Sequence, residues 1–113
     1  MKYIYDIIHK YYKKGSLSYD FLMQHSHAVA EKSVEIGRRV GEEKVDINFI
    51  HEAAMLHDIG MFKTKAGEIG CYGEEEYIMH GVFGREILEK EGMQKHGLVC
   101  ERHIGTGLTT EDV

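Results

Sequence analysis

The chain contains no proline, and its interruptions are made by glycine. Proline breaks helix interiors and central strands, so without it a helix runs until a glycine or a polar cap stops it. The apolar residues recur at three- and four-residue steps rather than alternating, which is the helical period. These two features together define an all-α chain.

Residues 2–14 place Ile4, Ile7, Ile8 and Tyr11 on one side and lysines on the other, and Gly15 closes the segment. Four of the seven tyrosines (Tyr3, Tyr5, Tyr11 and Tyr12) fall here, as packing and partner surface rather than ligand contacts. A long second helix is predicted over residues 18–43, with Ser18 as N-cap and Asp20 in its first turn. Its expected buried stripe is Leu22, His25, Val29, Ser33, Ile36 and Val40. His27 lies about 200° round the helix from His25 and should face away.

The third helix opens at Asp46, with Val45 and Ile50 placed as a hydrophobic staple. Ile47, Ile50, Ala54 and His57 share one face, small Ala53 and Ala54 permit close helix contact, and His51 is expected to be ordinary. Gly60 is read as the stop after this helix. Residues 61–77 lack periodicity and carry Gly67, Gly70 and Gly73; a functional lid and plain disorder both fit such a stretch. Helices over 78–91 and 93–104 follow, ending at Gly92 and Gly105, with His80 in the first turn of the former. Thr109 to Asp112 reads as the capped start of another helix.

At 113 residues the expectation is one domain with one core, spanning residues 1–113. No apolar run approaches the roughly 18 residues that span a bilayer, and no signal-peptide pattern opens the chain. Cys71 and Cys100 show no paired spacing, and the expected location is the cytoplasm. Fourteen basic against nineteen acidic side chains leave a net charge of −5, which excludes a broad basic field for a nucleic-acid duplex. A phosphorylated substrate would need positive charge from another source, and a metal supplies it. Eight histidines are a heavy load of the commonest metal ligand.

His57-Asp58 sets an imidazole beside a carboxylate at the electronegative end of an apolar helix, which suits a cation. Alone, the pair reads better as a core histidine beside a helix-end aspartate. His25, His80 and His103 on three other predicted helices change that balance. Several buried imidazoles would each need a partner, and one metal can serve them all. Nitrogen and oxygen ligands admit zinc, manganese, iron, nickel, cobalt or magnesium. His96 shares a face with His103 two turns away and is at best an outer neighbour.

Over about residues 23–109 the chain resembles the HD-domain metal-dependent phosphohydrolase superfamily. The resemblance rests on His25-Ser26-His27-Ala28-Val29-Ala30 and Leu56-His57-Asp58-Ile59-Gly60, in this order and at this separation. His80-Gly81-Val82-Phe83-Gly84 and Glu101-Arg102-His103-Ile104-Gly105 resemble the extra histidine segments of members that hold two metals. It implies a helical bundle of about five helices, with His25, His57 and Asp58 as metal ligands and His80 and His103 serving a second ion. It also implies hydrolysis of a small phosphorylated substrate, nucleotides included, by metal-activated water. Asp58 would act catalytically, with Lys63 and Arg102 as phosphate contacts; salt-bridge roles explain those two cations equally well.

Two departures stand out. Met61 occupies a position where the family often has lysine. The family's last aspartate ligand sits on a further helix, and Asp112 arrives too early to be it, so the expected bundle lacks its last helix. A non-catalytic HD-type binding or sensor module is therefore the alternative, and self-association is left open.

Overall fold

The computed structural model describes residues 2–102; His103 and the Thr109 to Asp112 segment lie outside the described residues. The helices are α1 (Lys2–Tyr11), α2 (Leu17–Val40), α3 (Ile47–Leu56), α4 (His80–Lys90) and α5 (Gln94–Arg102). Between α3 and α4 run three short 3₁₀ turns and the two-residue strands β1 (Lys65–Ala66) and β2 (Cys71–Tyr72), paired antiparallel. The all-α expectation holds.

The helix ends follow from side chains that satisfy otherwise unpaired backbone groups. The Asp46 carboxylate accepts from the Phe49 amide at 3.1 Å, as the sequence predicts. At α2 the cap is Ser16 rather than Ser18: the Ser16 hydroxyl accepts from the Tyr19 amide at 3.2 Å. The helix ends at Val40 instead of residue 43, because Gly41 takes a φ of 123° that carries the chain out of it.

Ile4, Ile7 and Ile8 are buried as expected, but Tyr12, just past the end of α1, is the buried tyrosine rather than Tyr11. The predicted stripe on α2 is also displaced. Its buried residues are Leu22, Ser26, Ala30 and Gly37, whereas Val29 and Ser33 are half-buried and Ile36 and Val40 are exposed. The reason is close approach. A Cβ on Gly37 would stand 3.0 Å from Ile47 Cδ1 and 3.1 Å from Ile50 Cδ1, so small side chains let α2 lie against α3.

The aperiodic stretch after α3 is folded, which removes the plain-disorder reading. Thr64, Ala66 and Cys71 are buried. The Lys65 amide donates to the Glu75 carbonyl at 2.8 Å, and the Glu75 amide to the Lys63 carbonyl at 3.1 Å. Helix α4 packs against α5 and against the 3₁₀ turn Ile59–Lys63, and both contacts bear on the site.

Candidate metal centre

Helix α3 runs out at Leu56, so His57 and Asp58 sit where its last carbonyls are exposed. The His57 Nδ1–H donates to the Ala54 carbonyl at 2.6 Å. Because a carbonyl can only accept, that bond fixes the tautomer and directs Nε2 inward. The same device recurs at the start of α4, where His80 Nδ1 donates to the Tyr77 carbonyl at 2.6 Å.

Both inward nitrogens meet one carboxylate. His57 Nε2 is 3.2 Å from Asp58 Oδ2, and His80 Nε2 is 2.9 Å from Asp58 Oδ1. His25, from α2, brings its Nε2 to 3.1 Å from Asp58 Oδ2. Three elements thus deliver three imidazoles to one aspartate. The side chains of His57, Asp58 and His80 are 9%, 6% and 6% exposed. That of His25 is 42% exposed and stacks on Phe21 at 5.9 Å.

Gly60 does not stop the helix, and its φ is not positive. It lies inside the 3₁₀ turn Ile59–Lys63, and a Cβ there would fall 2.2 Å from the His80 carbonyl oxygen and 2.4 Å from the Gly84 nitrogen. Hydrogen in place of a side chain lets the turn after Asp58 touch the first turn of α4. That contact brings His80 up to Asp58. Gly84 repeats the device one layer further: a Cβ there would meet Cys100 Cβ at 3.1 Å.

The electrostatics agree with the geometry. Burial pushes the His57 imidazole pKa down, but the hydrogen bond and charge of Asp58, with the Ala54 carbonyl, raise it above its ordinary value. Tyr77, whose ring lies 4.4 Å from that of His80, is raised by burial and then by the charges of Asp58 and Cys71. Burial and then the Asp58 charge push the Cys100 thiol up to about 12.

The donor set fits a divalent cation. His25, His57 and Asp58 each offer one ligand atom, all within 4.8 Å of one another. The two deep imidazoles also have their outer nitrogens held by backbone carbonyls, the support that metal-bound histidines need. His80 approaches the other oxygen of the same carboxylate, an arrangement that a bridging aspartate would require.

The remaining sequence candidates fall elsewhere. The exposed Lys63 places Nζ 5.2 Å from the centre of the Phe83 ring. Arg102 is exposed and lines a cleft of about 520 Å³ with Phe49, Lys95, Leu98 and Val99. His96 is not an outer neighbour of the cluster: its Nε2 pairs with Glu52 Oε1 at 3.0 Å, and Tyr3 donates to the same carboxylate. His51 is less ordinary than expected, since its Nδ1 is buried with no hydrogen-bond partner among the described residues. Sequence reasoning missed the backbone anchors Ala54 and Tyr77, although each stands three residues before its histidine.

Comparison with known proteins agrees with this architecture. The HD domain family model matches residues 22–105, and the chain belongs to that family, whose members typically bind divalent metals. It is 34% identical over 94 residues to an uncharacterized protein of Methanocaldococcus jannaschii, covering 80% of this chain and 49% of the relative. It is 32% identical over 102 residues to a tRNA (cytidine(56)-2'-O)-methyltransferase of Thermoplasma volcanium, covering 89% of this chain and 25% of the relative. A protein of the same name from Picrophilus torridus is 28% identical over 94 residues, 82% of this chain and 24% of its own length. The chain therefore spans about half the length of the first of these relatives and about a quarter of the other two. No solved structure matches it significantly. Among the described residues, no helix is long and apolar enough to cross a membrane.

Proposed function

We propose that the chain is a metal-dependent phosphohydrolase acting on a nucleotide or another small phosphorylated metabolite in the cytoplasm. The observation that carries this reading is the convergence of three Nε2 atoms on Asp58 at 2.9–3.2 Å, two from rings already oriented by backbone carbonyls. A divalent cation held by His25, His57 and Asp58 would supply Lewis acidity and a more acidic bound water, both of which favour phosphoester hydrolysis near neutral pH.

The chain's own residues do the rest. The Asp58 carboxylate holds the imidazoles in register and has an oxygen facing His80, which with His103 is assigned to a second ion. Lys63 and Arg102, the cations proposed for substrate phosphate, have Phe83 and the Phe49 cleft as their neighbours, so in this reading the metal carries most of the charge that meets the phosphate. His25, the exposed member, marks the side from which substrate enters.

Metal analysis of purified protein, with a phosphatase panel supplemented with manganese, nickel or cobalt, tests the proposal. We expect a transition metal near stoichiometry and turnover of at least one phosphoester. The double variant His57→Ala, Asp58→Ala should lose both. Stoichiometric metal in that variant would place the ion elsewhere and overturn the assignment.

A second reading, a non-catalytic HD module, is favoured by one observation. In two relatives named as tRNA methyltransferases the match occupies only about a quarter of the protein. Bound metal with no turnover across the panel would select this reading.

A further inference from the structure

The turn that carries Asp58 is gripped from two sides. On one side is the backbone of α4, against Gly60. On the other is a single tyrosine from the segment after α1, outside residues 22–105. The Tyr12 hydroxyl donates to the Ile59 carbonyl at 2.7 Å and accepts from the Phe62 amide at 3.1 Å. Tyr12 is 2% exposed, and its ring meets Phe62 edge-on at 5.5 Å. Tyr11 stacks on the same Phe62 ring, also at 5.5 Å.

The placement is specific. Ile59 is the residue immediately after Asp58, and Phe62 is the fourth, so one hydroxyl spans the Ile59–Lys63 turn. The Asp58 backbone belongs to the same turn: its carbonyl accepts from the Met61 amide at 3.0 Å, and its φ and ψ of −107° and 16° lie outside the helical well. A carboxylate that must meet three imidazoles at 2.9–3.2 Å depends on a fixed backbone. Packing alone would be met by phenylalanine, whereas the two polar contacts need the hydroxyl.

We infer that Tyr12 is a positioning residue for the metal centre: its hydroxyl bridges Ile59 and Phe62 and so sets Asp58 against His25, His57 and His80. The inference rests on reading that cluster as a metal site. It makes the α1 segment a working part of the site although no α1 residue supplies a ligand.

The test compares Tyr12→Phe, which removes only the hydroxyl, with Ile7→Val, which thins the same hydrophobic core. Cobalt(II) is titrated into metal-free protein and followed by its visible absorption, alongside thermal unfolding. Tyr12→Phe is expected to weaken cobalt binding by about tenfold or more and to alter the band shape, as loss of an orienting hydrogen bond does at metal sites. Ile7→Val should lower the melting temperature and leave affinity and spectrum unchanged. Wild-type affinity and spectrum in Tyr12→Phe, or equal weakening in both variants, would overturn the inference.

If wild-type protein binds no cobalt, the metal reading itself fails, and metal-free protein then decides the positioning role. The imidazole ¹⁵N resonances of His57 and His80 should move in Tyr12→Phe but not in Ile7→Val. Unmoved resonances in both would show that the hydroxyl supports only the fold.

Discussion

The two sides of the candidate metal centre are built differently. His57, Asp58 and His80 form a closed side: all three are buried, both rings are tied to carbonyls at 2.6 Å, and the intervening turn is pressed against α4. His25 forms an open side. It projects from the middle of α2, is 42% exposed, and leans on Phe21. Fixed geometry and open access make opposite demands on packing, and here burial and exposure are divided between the α3–turn–α4 unit and α2.

The largest expected effect breaks the closed side directly. In Gly60→Ala the new methyl would sit 2.2 Å from one backbone atom and 2.4 Å from another, neither of which can swing away. Overpacking usually costs about 1–3 kcal/mol, and backbone-to-backbone clash belongs at or above the top of that range. We expect a fall in melting temperature of more than about 10 °C, read by circular dichroism, with loss of metal binding. A variant that melts like wild type would show that the turn yields, and the closed side would lose its distinction.

Ligand deletions sharpen the contrast. His57→Ala and His80→Ala each remove a pre-oriented donor, the first from the ion held with His25 and Asp58 and the second from the proposed second ion, so affinity for that ion should fall by about 100-fold or more, at or beyond what loss of an outer partner costs. His25→Ala removes a donor that must be ordered on binding, and about tenfold is expected. Calorimetric titration of the three variants checks the order. Equal losses would mean that exposure and anchoring do not grade the ligands.

The same division explains what is legible in the sequence. His25, His57, Asp58 and His80 stand out because few residue types bind metals and helix ends are marked by caps and glycines. Gly60 is visible but ambiguous, since a glycine that stops a helix and one that admits a neighbouring backbone look alike in sequence. The α2 stripe is misplaced by periodicity because bulky Ile36 and Val40 outweigh Ser26, Ala30 and Gly37 in any apolar pattern. Close helix contact selects the small set instead. Residues 61–77 carry no periodic signal because their order rests on backbone pairs such as Lys65 with Glu75. Tyr12 groups with its neighbours as packing, and nothing in its spacing distinguishes the hydroxyl that spans a turn far along the chain.

The smallest expected effect uses the same substitution on the open side's helix. Gly37→Ala also puts a methyl into a buried helix contact, but its nearest neighbours are the Cδ1 atoms of Ile47 and Ile50, at 3.0 and 3.1 Å, with Val45 Cγ2 at 3.6 Å. These are ends of side chains that can rotate by a few tenths of an ångström. Alanine also gains up to about 1 kcal/mol over glycine within a helix. The two terms oppose one another, and the urea midpoint should correspond to a net change within about 0.5 kcal/mol in either direction. A loss of about 2 kcal/mol or more, well inside the overpacking range, would show that the α2–α3 seam is as unyielding as the turn against α4. His25 would then be carried on a helix as fixed as the one that carries His80, and exposure alone would separate the two sides.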